Sequence, residues 1–428
     1  MNNTAEVYLW GSRIGIVHFD EGTGLASFEY DHDFARSGIE VSPVMMPLAD
    51  GFYSFSELVK SSFHGIPGLI ADSLPDKFGN AVISQWLASR GLSDASFNAI
   101  DRLCYTGTRG MGALEYVPAT GPVGSINDEI NISEMVRFAS DVLNKRSKVR
   151  IMMDKNITAK QLLQLGTSAG GARAKAVIAW NEKTGDIRSG QINAGPDYGY
   201  WIIKFDGVDA NGDHDVTDRQ EYTRIEYAYH LMAIASGIKM SECKLLAEND
   251  RVHFMTKRFD RTDQGGKIHM QTLGALSHID YDIPCLCSYE QAAIYARQIG
   301  LRADEIEQLY RRMVFNVLAV NQDDHVKNIS FLMDRNGKWM LAPAYDVTFA
   351  YDSSSRWLNA HQMTINGKNR DIGKGDILEA GRAMDISAQK CKNIIDDVAA
   401  AVDRWPDFAE KVSIKEETME MIRGEIYS

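Results

Sequence analysis

Long apolar runs, paired cysteines and an excess of positive charge are all missing from this chain. No stretch approaches the roughly eighteen consecutive apolar residues of a membrane-spanning helix. The opening "MNNTAEVYLW" has neither the basic flank nor the apolar segment of a signal peptide. A cytoplasmic location without a membrane partner is the expectation. The five cysteines (Cys104, Cys243, Cys285, Cys287, Cys391) are scattered. Their one close pair is a C-x-C with no second pair to complete a zinc site, so they read as reduced thiols. With 46 Lys and Arg against 58 Asp and Glu the net charge is −12. That excludes coating nucleic acid through counterion release, while a local basic patch or a basic partner protein stays open. There is no G-x-x-x-x-G-K-[ST] spacing, which disfavours a P-loop NTPase, and no internal repeat or low-complexity tract.

What is present is a globular composition, 44% hydrophobic and 24% charged over 428 residues, enough for two or three units around substantial cores. "EVYLWGSRIGIVHF" alternates around a Gly-Ser turn and "GLASFEYD" repeats the strand character, predicting a small β-rich unit at the N-terminus. From "GIPGLIADSLPDKFGNAVISQWLASRG" the pattern turns helical, with Pro75 and Asp76 at the start and Gly91 as the stop. Glycine and proline then mark a connection near 117–130. Beyond it, "ISEMVRFASDVL" predicts a helix and "YGYWIIKFDG" a buried strand. "EYTRIEYAYHLMAIASG" is an amphipathic helix ended by Gly237, and "RVHFMTKRFDR" a further strand. "DEIEQLYRRMVFNVLAV" is a helix, and from about residue 387 the chain reads as helical to its end. The class predicted is α+β: a small β-rich N-terminal subdomain, then a kinase-like bilobal body whose C-terminal lobe is mainly helical.

The long helix delivers the chain into "VNQDDHVKNISFLMD". Asp323 stands five residues before Asn328, the spacing of the catalytic Asp and metal-binding Asn in the protein-kinase loop. After Asn328 come "ISFLM", the turn "DRNGK" and "WMLAPAYD", a β-hairpin with an Asn-Gly turn that returns the chain to its start. Asp346 is thereby predicted beside Asn328, and two hard oxygen ligands suit Mg²⁺ on nucleotide phosphates. Asp324 competes with Asp323 as the base, and His325 reads as a loop-shaping residue. In "GTSAGGARAK", Gly170 and Gly171 let backbone approach an anion and Lys175 adds charge; a plain turn is the alternative. Lys204 ends the strand "WIIK" as the phosphate-pairing lysine does in V-A-I-K. Glu226 is either its ion-pair partner or a surface charge. Phe259 either faces a purine or packs in the core, and "GTRGMGAL" reads as a turn with close packing.

In this order, "GTSAGGARAK", "WIIKFDG", "KRFDR", "NQDDHVKNISF", "APAYDV" and "HQMTINGKNRDI" resemble the HipA family, the serine/threonine kinase toxins of bacterial toxin–antitoxin pairs. "LIADSLPDKFGN" and "GTRGMGALEY" are similar to the family's N-terminal domain. The resemblance implies a domain at 1–125 and a kinase domain at 126–428. It implies Asp323 as catalytic base and Asn328 and Asp346 on Mg²⁺. It places ATP contacts at Gly170, Gly171, Ala172, Arg173, Ala174, Lys175, Lys204, Lys257, Arg258, Phe259, His325, Val326, Lys327, Asn328, Tyr345 and Asp346. It also implies Ser168 as an autophosphorylation site that switches the kinase off, phosphate there repelling an ATP phosphate. Where the family often carries Gln-Glu or Arg-Pro, this chain has Arg173 and Ala174. Lys257 stands where an acidic residue often precedes R-F-D-R. The partners implied are a HipB-like helix-turn-helix antitoxin, operator DNA through that antitoxin only, and a protein substrate that is an aminoacyl-tRNA synthetase or another translation protein. Two rival readings are a small-molecule phosphotransferase on the same scaffold and a non-catalytic co-repressor subunit.

Overall fold

A computed structural model describes residues 2–121, 130–144, 173–191, 193–208, 212–213, 216–217 and 221–427. Strands β1 (Thr4–Leu9) and β2 (Ser12–Asp20) form the expected hairpin, with Gly11 at φ +87° in the turn. β3 (Leu25–Tyr30), β4 (Phe52–Tyr53) and β5 (Leu114–Val117) complete an antiparallel sheet of order β4-β3-β2-β1-β5. Alternation buries Val7, Leu9, Val17, Ala26 and Phe28 on one face. Helix Lys77–Ser89 starts at Asp76, whose Oδ1 accepts the Gly79 N–H at 2.6 Å. Gly91, at φ +74°, follows its end.

The second sheet comprises β6 (Lys175–Trp180), β7 (Ile187–Ser189), β8 (Gly199–Lys204) and, beyond a two-residue pair β9 (Gly212–Asp213) and β10 (Val216–Thr217), β11 (Cys243–Glu248) and β12 (Arg251–Lys257). Its order is β11-β12-β8-β6-β7, antiparallel throughout. Helices Lys77–Ser89 and Ile132–Leu143 share a buried cluster with it through Phe78, Val82, Met135, Ile178, Trp201 and Met255. A third sheet, β13 (His269–Thr272), β14 (Ser330–Met333) and β15 (Trp339–Leu341), carries the hairpin predicted after Asn328, with Gly337 at φ +78°.

Helices Tyr222–Ala235, Tyr289–Gln298, Ala303–Leu318 and Lys374–Ala383 build the second lobe, which supports the three-stranded sheet. Two expectations change in detail. The strand over "RVHFMTKRFDR" stops at Lys257, because Arg258, Asp260 and Arg261 converge on one buried ion cluster and cannot alternate faces. The helical C-terminus is broken into Ala388–Val402, Trp405–Lys411 and Glu416–Ile426. Pro406 sits in the first turn of the middle helix, and Ser413 at φ +57° separates the last two. All five cysteines are free thiols. Among the described residues no helix is long and apolar enough to cross a membrane.

Candidate active site

Lys204 closes β8, and the antiparallel register sets it opposite Lys175 on β6 and Phe254 on β12. Helix Tyr222–Ala235 turns Glu226 inward, where it is 2% exposed. Lys204 Nζ donates to Glu226 Oε1 at 2.6 Å and to Asp346 Oδ1 at 2.5 Å. Burial alone would lower the Lys204 ammonium, but the carboxylates of Asp346 and Glu226 outweigh it and raise the group above the ordinary lysine range. For Asp346, burial is opposed by the Lys204 and Lys175 charges, which hold the carboxyl well below its usual range. Glu226 is drawn up by burial and down by Lys204, with burial the larger influence. The alternative left open for Glu226 therefore resolves in favour of the lysine partner.

The hairpin brings Asp346 to this lysine. Asp346 has φ +55°, a left-handed conformation that aspartate tolerates better than most residues. Before it, the Tyr345 hydroxyl donates to Lys327 O at 2.5 Å and shares a 2.5 Å bond with the Ser330 hydroxyl, fastening the far end of the hairpin to its beginning. Asn328, Tyr345 and Asp346 line one pocket, which continues along Tyr289, Arg312 and Asn316. Its lining holds neither Lys204 nor Phe259.

The loop itself separates the two adjacent aspartates. Asp324 is buried: Oδ2 accepts the Tyr289 hydroxyl at 2.9 Å and lies 2.9 Å from His361 Nδ1, while Oδ1 accepts the Gln362 N–H at 2.7 Å. It serves as a tether between the loop and the segment after Asp346. Asp323 keeps 23% of its side chain exposed, with Oδ1 3.7 Å from His325 Nε2. Asn328 Nδ2 donates to the Asp323 carbonyl at 2.7 Å, a bond made by the amide nitrogen that leaves the oxygen to act as a hard ligand. His325 precedes a short turn, Val326–Asn328, in which Val326 is buried. Lys327 turns elsewhere: its ammonium lies 3.9 Å from the Tyr281 ring centre. Burial lowers it, against the pull of Asp72, Asp282, Asp76 and Asp280.

The remaining sequence candidates divide. Ser168, Gly170, Gly171 and Ala172 lie outside the described residues. The Arg173 guanidinium lies 5.1 Å from the Tyr222 ring, and Ala174 is buried with its carbonyl accepting the Phe205 N–H. Lys175 is buried against Asp76 at 3.5 Å. The N–H groups of Lys257 and Arg258 donate to Glu242 O and Tyr200 O, both at 2.8 Å. The Arg258 side chain is fully buried on Asp260 through two bonds of 2.8 and 2.7 Å. Asp260 also takes the Gly112 N–H and Arg261 Nη1, each at 2.7 Å. "GTRGMG" and "RFDR" are thus two halves of one lock between the N-terminal sheet and the body. The Phe259 ring lies 5.4 Å from that of Tyr345.

Comparison with known proteins places the chain in a family. The model of the HipA N-terminal domain matches residues 5–117, and that of the HipA-like C-terminal domain matches 167–405, more than half of the chain. The chain belongs to the HipA family. A chain of the HipA, HipB and operator DNA complex from the Shewanella oneidensis MR-1 toxin–antitoxin system superposes with a TM-score of 0.69 at 17% identity, covering 99% of this HipA-family chain and 95% of its own. It shares the fold. A Sinorhizobium fredii protein named "Putative kinase Y4mE" is 27% identical over 187 residues, 40% of this chain and 44% of its own length. A Haemophilus influenzae protein named "Putative kinase" is 33% identical over 101 residues, 22% of this chain and 29% of its own. This HipA-family chain therefore matches less than half the length of either curated relative.

Proposed function

We propose that this chain is a Mg-ATP-dependent protein serine/threonine kinase acting as the toxin of a toxin–antitoxin pair. The observation that carries the reading is the Lys204 ammonium held between Glu226 and Asp346, at the point where the hairpin returns from Asn328. The donor set fits the cofactors. Asn328 and Asp346 offer hard oxygens for a divalent cation, and Lys204 and Lys175 offer positive charge for phosphates. When bound, Mg-ATP supplies the phosphoryl group and the cation that neutralises its charge. Glu226 orients Lys204, Asp323 accepts the proton of the acceptor hydroxyl, and Asp324 holds the Asp323 backbone in register with residues 361–362. Phe259 and Tyr345 offer an aromatic wall for the base.

The Shewanella complex supports a HipB-like antitoxin as partner and contact with operator DNA through it. The protein substrate is an aminoacyl-tRNA synthetase or another translation protein, and Ser168 is the autophosphorylated off-switch. Intact-mass analysis after incubation with Mg-ATP, with peptide mapping, tests the reading. One phosphate on Ser168, absent in Asp323→Gln, is the expected result. Phosphate transferred only to small metabolites would replace the protein kinase with a small-molecule phosphotransferase. No transfer from an initially unphosphorylated sample would overturn catalysis.

A further inference from the structure

Lys175 and Lys204 face each other across β6 and β8, so two ammonium-bearing side chains leave the sheet on one side at directly opposed positions. Like charges so placed repel unless each has a counter-ion. The body supplies Lys204 with Glu226 and Asp346. Lys175 also feels the Asp346 charge, but its close ion pair comes from the other unit: Asp76 Oδ2 lies 3.5 Å from Lys175 Nζ, with 5% and 4% of the two side chains exposed. Asp76 is held from behind, since its Oδ1 caps helix Lys77–Ser89 through the Gly79 N–H. Its Oδ2 makes no hydrogen bond among the described residues, so the contact with Lys175 is ionic and stretched. Phe78 and Val82 of that helix share a buried cluster with Ala174, Ala176 and Ile203, the chain neighbours of both lysines.

We propose that Asp76 and the phosphates of a bound nucleotide are alternative counter-ions of Lys175, so that seating of the N-terminal helix and filling of the nucleotide site oppose each other through one lysine. The inference rests on the nucleotide reading of the Lys204 site. It adds that the N-terminal domain sets nucleotide affinity, and by linkage that nucleotide loosens helix Lys77–Ser89 to the same extent.

Asp76→Asn is the direct test, because asparagine caps a helix about as well as aspartate and changes only the charge facing Lys175. Binding to the full-length protein is measured by calorimetry with Mg-ADP and with adenosine. The variant is expected to bind Mg-ADP about fivefold tighter or more, with adenosine affinity unchanged. In the unsubstituted protein, Mg-ADP is expected to raise hydrogen exchange across residues 77–89. Equal or weaker Mg-ADP binding by the variant, or the same gain for adenosine, overturns the proposal. If the variant does not fold, unchanged exchange over 77–89 on adding Mg-ADP overturns it instead. An unsubstituted protein that binds neither ligand refutes the nucleotide reading itself, and the proposal falls with it. Binding of Mg-ADP with no effect of Asp76→Asn refutes only the linkage.

Discussion

Asp323→Asn and Asp324→Asn are expected to give opposite phenotypes although the residues are neighbours. The Asp324 carboxylate is surrounded by three groups: the Tyr289 hydroxyl, His361 Nδ1 and the Gln362 N–H. Asparagine keeps an acceptor for Gln362 but turns an NH₂ group toward the other two. The Tyr289 hydroxyl already accepts from Asn316 Nδ2 at 2.8 Å, so it has little capacity to accept a second donor. Hydrogen bonds to a charged acceptor contribute about 1.5–3 kcal/mol each, and two are lost, so destabilisation of about 3–6 kcal/mol is expected. Asp323 is partly exposed. Its amide variant should stay within about 0.5 kcal/mol of the parent while phosphoryl transfer falls by about 10²–10⁴. Urea denaturation and phosphate incorporation, run on both variants, read the two effects separately. A stable Asp324→Asn paired with an active Asp323→Asn would show that the roles of base and tether are assigned the wrong way round.

Lys204→Met should abolish transfer and cost about 3–5 kcal/mol, because it leaves Glu226 buried without its cation; adding Glu226→Gln should restore the denaturation midpoint and not the activity. Asp260→Asn should release the lock on Arg258, Arg261 and Gly112 and be seen as faster limited proteolysis near residues 107–113. Acid should destabilise the fold through buried histidines. Burial lowers both His230 and His269 to about 4 from the usual 6.5. Between those values the unfolded chain binds more protons, so stability rises with pH from about 4 to 6.5 and is lost on acidification through that window. The His269 contribution is about 3 kcal/mol at most. His269→Gln should therefore flatten the pH dependence of the urea midpoint between pH 7 and 5, and an unchanged slope would refute the assignment.

Local rules carried much of this architecture into the sequence. The Asn-Gly turn between "ISFLM" and "WMLAPAYD" was enough to send Asp346 back toward Asn328, because a hairpin fixes where its ends lie. Asp76 was legible as a helix start from its place before "KFGN". Its second role was not, since Lys175 is far away in sequence and no local pattern couples them. The same holds for Asp260 and Gly112, 148 residues apart: "GTRGMG" read as a turn and "KRFDR" as the end of a strand. Glu226 had a usable signal, as it falls three residues before Tyr229 and one after Ile225, both buried in the same helix. A carboxylate inside an apolar face asks for a cation, and Lys204 ends the preceding long strand. Asp323 was favoured over Asp324 by its five-residue spacing to Asn328; what needed the fold was the tethering role of Asp324, which depends on Tyr289 and His361, distant in sequence.

The seam between the two units has a consequence for any attempt to divide the chain. Besides the Asp260 lock, His269 Nε2 meets Val41 O at 3.1 Å, Gln271 Nε2 donates to Ser42 Oγ at 3.0 Å and Trp339 Nε1 donates to Glu40 O at 3.1 Å. Each of these takes a polar group of the body's interior and completes it with backbone or hydroxyl from the first fifty residues. A fragment beginning at the second unit would bare those groups together with the apolar surface around them, and would aggregate rather than act as a liberated enzyme. Loss of the first unit, by nicking or by mutation, is then a route to silence and not to unrestrained activity.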